Sequence, residues 1–266
     1  MDDSGSITEA AAVLRSDSGG IATLTLNRAA QFNPLSEQMM AALQAALEAI
    51  AKDGAVRVVV LAAEGRAFCA GHDLKQMRAR PELDYYQTLF KQCSKLMLTI
   101  QQLPQPVIAR VQGIATAAGC QLVAMCDLAV ASSTARFAVS GINFGLFCAT
   151  PSVALSRNVA RKQAMEMLLT GEMVSAEEAC RIGLVNRVVK SGKAREEALA
   201  LAAKIVRKSA AIVKLGKEAF YRQMEMNLAE AYAYAAEVMV INMMTRDAGE
   251  GISAFVEKRT PKWEDR

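Results

Sequence analysis

Histidine is almost missing from this chain: His72 stands alone among 266 residues. Cysteine occurs six times, at Cys69, Cys93, Cys120, Cys126, Cys148 and Cys180, and never as a C-x-x-C pair. A zinc site built from Cys and His therefore lacks its ligands, and no metal centre is expected. Scattered in apolar settings, these thiols read as buried residues of a reducing compartment. No apolar run reaches membrane-spanning length, so no membrane partner is expected. The opening MDDSGSITEA is acidic and polar, unlike a signal or transit peptide. Residues 1 to about 6 read as disordered, and a cytoplasmic protein is the default. Charge of either sign is also scarce in excess. The net +4 suits an anionic small molecule and is too weak for nucleic acid, because Lys and Arg are spread along helices instead of massed in one stripe.

What is present is organised around residues 105–131. Val107, Ile108, Ala109 and Val111 form an apolar run of strand length that breaks at Gly113. Good helix formers follow from Ala117 or Ala118 to about Met125, and Leu128, Ala129 and Val130 resume a buried strand. The first N–H groups of a helix lack partners and carry partial positive charge. Ala117, Ala118 and Gly119 keep side chains clear of those groups, so a ligand oxygen could approach the backbone there. Small residues before a helix are also common packing devices, and both readings stand at this point.

Along the rest of the chain, IATLTL at 21–26 alternates as a strand. Ser36 is a plausible N-cap for a helix to about Lys52, with Met39, Leu43, Leu47 and Ile50 on one face. Val56 to Ala62 is a β-branched run suited to a parallel strand buried on both faces. EGRAFCAGHDLKQM reads as a loop turning into a helix, in which Asp73 suits a cap. Leu83 to Leu103 is amphipathic and ends at Pro104 and Pro106. Phe137 to Val139 predicts a short strand, followed by a Gly-containing loop to Phe147. Ser175 and Glu178 make a capping box. Helices are expected near 194–208, 210–224, 228–246 and 248–258. Strands alternating with helices, then helices alone, point to an α/β core with a helical C-terminal part. A large core fits one such domain at this length.

RAFCAGHDLKQM, QPVIARVQGIATAAGCQLVAMCDLAVA and EGISAFVEKRTPKW together resemble the enoyl-CoA hydratase/isomerase family, the crotonase superfamily. LTLNRAAQFNPLS resembles its first strand and turn, and GHDLK with INFGLFCATPSVAL is similar to one branch of it. The resemblance runs from about Ile7 to Trp263. It implies the ClpP/crotonase-like fold: repeated ββα units in an α/β core over 7–195, and a helical trimerisation region over 196–266. It implies an acyl-CoA thioester as substrate, with coenzyme A entering as part of that substrate and no tightly bound cofactor. It also implies self-association as a homotrimer or a dimer of trimers. The first oxyanion donor would be the backbone N–H of His72 and the second that of Ala118. CoA would lie along Asn33, Pro34 and Leu35 and along Ala70, His72, Asp73 and Leu74, beside Ala117. Phe255 and Lys258 would reach it near the C-terminus, sometimes in the adjacent subunit.

The chain departs from the family where hydratases place two glutamates. Gln121 stands at the first position and Gly141 at the second, aligned by eye. Gln121 can orient water but cannot take its proton at neutral pH, and Gly141 has no side chain. General acid–base help is worth about 10²–10⁴-fold, so ordinary hydration should be nearly silent. Restoring both carboxylates should raise it by about tenfold or more. Ser140, Asn143, Asp84, Tyr85 and Tyr86 are further polar candidates, each with a bland reading as a cap, turn or helix surface. His72 could also act through its imidazole, which titrates near neutrality. Three functions compete: a hydratase-like lyase, whose true step could be isomerisation, decarboxylation or hydrolysis; an acyl-CoA binding protein without efficient turnover; and a Clp-type peptidase. The peptidase needs a serine backed by histidine, and His72 is already placed in the oxyanion loop.

Overall fold

A computed structural model describes residues 10–266. The disorder expected at the extreme N-terminus and the opening of the core at residue 7 lie outside the described residues. β1 (Val13–Ser18) and β2 (Ile21–Leu26) pair antiparallel as a hairpin. β1 escapes sequence reading because VLRSDS does not alternate, and as an edge strand it is mostly exposed. α1 (Glu37–Ile50) begins at Ser36, whose hydroxyl accepts from Met39 N–H, and buries Met39, Leu43, Leu47 and Ile50 as their spacing predicts.

Next comes a strand pair, β3 (Val58–Ala63) and β4 (Ala67–Cys69), then α2 (Leu74–Ala79) and α3 (Leu83–Gln102). A second pair, β5 (Val107–Val111) and β6 (Ile114–Thr116), leads into α4 (Ala118–Met125). A third, β7 (Leu128–Ser132) and β8 (Arg136–Ala138), leads through a 3-10 turn at Ser140–Phe144 into α5 (Ala149–Asn158) and α6 (Arg161–Thr170). β9 (Val174–Ser175), α7 (Ala176–Arg181) and β10 (Arg187–Val189) follow. The first strand of each pair enters one sheet, of order β1-β2-β3-β5-β7-β10. The second enters another, of order β4-β6-β8-β9. The repeated ββα expectation is met in this arrangement. β4 and β6 are three residues each, too short for any periodicity to reveal them.

β3 is buried at every position and lies parallel between β2 and β5. Its alternate residues face two cores. Val59 and Leu61 join the main core with α1 and α3, whereas Val58 and Val60 pack with Ile108, Val130, Ala198 and Leu201. The last two belong to α8 (Ala194–Val206), which covers the opposite face of the large sheet. The expected division at 195/196 thus falls inside a helix that packs on the core. α9 (Ala210–Gln223) and α10 (Leu228–Met243) have no buried residue, and α11 (Arg246–Val256) buries only Asp247 and Ala254.

Candidate active site

Two short segments meet between the sheets. The first leaves β4 as Ala70-Gly71-His72-Asp73. Gly71 sits at φ +96, where an L side chain is strained, and a Cβ there would lie 3.0 Å from Ala117 Cβ and 3.4 Å from Ala118 N. Asp73 then caps α2: its Oδ1 accepts from Lys75 N–H at 3.0 Å and Gln76 N–H at 3.1 Å. The second segment is the start of α4. Ala117 holds φ 49 and ψ −120, a conformation that costs a non-glycine residue about 1–3 kcal/mol. Its N–H donates to Ala138 O at 2.9 Å. A Cβ at Gly119 would come within 2.1 Å of Cys69 O, so only glycine lets α4 lie this close to β4. Thr116 Oγ1 donates to Ala70 O at 3.0 Å, clipping the two segments together.

This packing brings the N–H groups of His72 and Ala118 onto neighbouring backbone turns. Among the described residues, neither amide makes a hydrogen bond outside its own element. Ala118 opens a helix, so its N–H has no intrahelical partner either. The small-residue run at 117–119 therefore serves close packing and leaves donors free at the same time.

Gln121, one turn into α4, is 5% exposed, and its Oε1 is buried with no partner. Gly141 is buried and its loop is closed tightly. Leu146 N–H donates to Gly141 O at 3.0 Å and Gly141 N–H donates to Cys148 Sγ at 3.3 Å. A Cβ at 141 would meet Leu146 O at 2.5 Å and Cys148 Sγ at 2.7 Å. The tenfold gain expected from installing glutamates at 121 and 141 is corrected by this geometry, because position 141 has no room for a side chain.

His72 Nδ1 lies 3.1 Å from Leu35 O, which can only accept, so the hydrogen is on Nδ1. Nε2 keeps its lone pair, buried and without a partner, and the ring meets Phe90 edge-on at 5.7 Å. Burial lowers the imidazole pKa and holds the ring neutral. Burial also pushes the thiols of Cys69 and Cys120 up to about 12, so both remain protonated at neutral pH.

Other expected residues divide clearly. Leu35 N–H donates to Gly71 O at 2.8 Å, and Ala70 N–H donates to Phe32 O at 3.0 Å, so residues 32–35 do lie beside 70–72. Pro34 is buried there. The side chains of Asn33 and Leu35, however, are committed to the interior. Asn33 Oδ1 accepts from Arg28 N–H, and its Nδ2 donates to Glu64 O and Ala67 O. Leu35 is part of the core. Only their backbone can face a ligand. Ala70 and Leu74 are exposed and Ala117 is half-buried, forming an open rim. Phe255 is 85% exposed at the end of α11, and Lys258 follows at φ 56. α11 packs on α10 and the C-terminal tail.

Among the polar candidates, Tyr86 Oη donates to Met77 O at 3.1 Å and Asn143 Nδ2 to Gly171 O at 3.4 Å. Asp84 is exposed on the first turn of α3, and Ser140 opens the 3-10 turn. Tyr85 lies under the Arg80 guanidinium at 4.1 Å, with its hydroxyl buried and unpartnered. Among the described residues no cluster of His, Cys, Asp and Glu could hold a metal. Sequence reasoning missed Thr116 and Cys148. Neither carries a signal without knowledge of what packs against it.

Residues 16–266 match the enoyl-CoA hydratase/isomerase family model. The chain is 49% identical over 244 residues to enoyl-CoA hydratase domain-containing protein 3, mitochondrial, of Xenopus laevis, covering 92% of this chain and 83% of that one. This is the branch to which GHDLK and INFGLFCATPSVAL are similar. Among solved structures, enoyl-CoA hydratase of Mycobacterium smegmatis superposes with a TM-score of 0.93 at 61% identity, covering 95% and 98% of the two chains. Human enoyl-CoA hydratase domain-containing protein 3 superposes with a TM-score of 0.92 at 45% identity, covering 95% and 100%.

Proposed function

The chain belongs to the enoyl-CoA hydratase/isomerase family and is an enzyme of crotonase fold, and from that premise we propose that it acts on acyl-CoA thioesters through an enolate. In this reading the thioester carbonyl lies between the N–H groups of His72 and Ala118. Both donors would sit on closely packed backbone, so that they are oriented before negative charge develops on the oxygen. What supports the reading is that Gly71, the residue before His72, packs closely against Ala117 and Ala118, and that neither amide has a backbone partner recorded among the described residues.

The chain is poorly equipped for ordinary hydration. Gln121 can hold a water but not deprotonate it, and position 141 is filled by Leu146 O and Cys148 Sγ. His72 is neutral, yet its free Nε2 is enclosed. Hydration of crotonyl-CoA is therefore expected well below the roughly 10–10³ per second of efficient enzymes. The orphaned Gln121 amide also favours a second reading, an acyl-CoA binding protein with little turnover. Calorimetry with acetyl-CoA, followed by turnover assays on enoyl, 3-hydroxyacyl and malonyl-type thioesters, separates the two. Absence of binding at millimolar ligand to folded protein would end both.

The assembly follows the same reading. α10 is mostly apolar yet has no buried residue, which is the pattern of a helix covered by another copy. We place the protein as a homotrimer or a pair of trimers, with Phe255 and Lys258 reaching CoA in a neighbour. All six cysteines are free, in keeping with a reducing compartment. No helix of the described residues is long and apolar enough to cross a membrane. The Xenopus relative is named mitochondrial, so the organelle matrix is as suitable a setting as the cytoplasm.

A further inference from the structure

We propose that Thr116 is a positioning residue of the oxyanion site, its hydroxyl fixing the distance between the two backbone donors. The inference rests on the reading that His72 and Ala118 N–H hold a thioester oxygen. Thr116 Oγ1 donates to Ala70 O at 3.0 Å. Thr116 lies two residues before Ala118, and Ala70 lies two residues before His72, so the clip ties both segments at the same remove from their donors. No other side-chain hydrogen bond described here joins these two segments. Between clip and donors lie two backbone positions with positive φ, Gly71 at φ 96 and the non-glycine Ala117 at φ 49. They are in close contact, with the Ala117 methyl 3.0 Å from where a Gly71 Cβ would stand.

A residue held at an unfavourable φ relaxes when its surroundings permit. Behind Ala117, β6 pairs with β8 at Thr116↔Ala138, and Ala117 N–H donates to Ala138 O. These contacts fix the α4 segment to its own sheet neighbour, but they do not fix it to the loop carrying His72. β4 and β6 pair through a register shift between Ala67 and Cys69, and their last ladder pair is Cys69↔Ala115, one residue before Ala70 and Thr116. The Thr116 hydroxyl supplies the tie past that point. Being 7% exposed, it also has little water to turn to in place of Ala70 O.

The test uses acetyl-CoA labelled with ¹³C at the thioester carbonyl and isotope-edited infrared spectroscopy of the bound form. In the native protein the carbonyl band should move to lower frequency on binding, and Thr116→Ser, which keeps the hydroxyl, should retain that shift. Thr116→Val, close in shape but without the donor, should lose much of it while acetyl-CoA affinity measured by calorimetry changes less than about tenfold. If Val does not fold at 116, Thr116→Ala serves in its place. A full native shift in both hydroxyl-free variants overturns the proposal, as does equal loss in Thr116→Ser. A native protein that binds acetyl-CoA without any carbonyl shift sinks the underlying oxyanion reading instead, whatever Thr116 does.

Discussion

At the scale of single residues, the site depends on two glycines that cannot carry a side chain. Gly71→Ala places a methyl 3.0 Å from Ala117 Cβ and forces a β-carbon onto φ 96. Overpacking of this kind costs about 1–3 kcal/mol, and the displaced Ala117 would carry Ala118 N–H with it. Chemical denaturation should record the loss of stability, and calorimetry a weaker binding of acetyl-CoA. Gly141→Glu should likewise destabilise the fold and bring no hydration, since Leu146 O and Cys148 Sγ occupy the direction the side chain would take. A variant that folds normally and hydrates crotonyl-CoA faster would show that the 141–148 loop yields easily.

His72 gives a pH dependence whose sign can be worked out. Burial lowers its pKa in the folded state, whereas the unfolded chain takes up a proton near the ordinary value of about 6.5. Below that pH the unfolded state binds more protons, so stability falls as the solution is acidified. Above it, His72 contributes no slope. Urea unfolding followed between about pH 5 and 8 should show this trend. In His72→Asn, which retains a donor for Leu35 O, the part of the slope near pH 6 should disappear.

At the scale of elements, α9 docks on the core through a polar cluster around Asp127 and has no fully buried residue. Lys217 Nζ donates to Ile100 O at 3.0 Å, Gln105 O at 3.1 Å and Asp127 Oδ2 at 2.7 Å, satisfying all three of its protons. Tyr221 Oη and Val107 N–H donate to the same carboxylate. Burial lowers the Lys217 pKa, while Asp127 opposes that shift and keeps the ammonium in place. Removing one member of a buried pair costs about 3–5 kcal/mol, and Tyr221 with Val107 N–H still supporting Asp127 puts Lys217→Met at the lower end. Thermal unfolding should drop accordingly. Hydrogen exchange should quicken along 210–223 before it does in β3 and β5, and uniform loss of protection would contradict a local docking role.

At the scale of the whole molecule, the C-terminal helices present Tyr232, Met239, Val240, Ile241, Met243 and Met244 to solvent, and Met244 is 82% exposed. A surface of this kind marks an interaction site. The chain should run as a trimer or hexamer in light scattering, and Val240→Glu with Met244→Lys should shift it toward monomer. Monomeric native protein at micromolar concentration would refute this.

The sequence alone determined the elements in which one periodicity runs long enough to be read. α1 and α3 bury the stripes their spacing marks, β3 is the doubly buried parallel strand its β-branched run announces, and Ser36, Asp73 and Ser175 cap the helices they precede. It also located the small-residue helix start at 117–119 and, through motif resemblance, the family. Tertiary structure decided what depends on pairs distant in the chain. That Thr116 reaches Ala70, that Cys148 fills the space beside Gly141, and that Asn33 uses its amide internally are facts of non-local packing. β4 and β6, three residues each, owe their existence to neighbours in a sheet rather than to any pattern of their own. The physical reason is range: capping and amphipathic burial act over a few residues and leave a periodic trace, whereas the fit of two backbone turns is set by atoms 46 residues apart, as for Ala70 and Thr116.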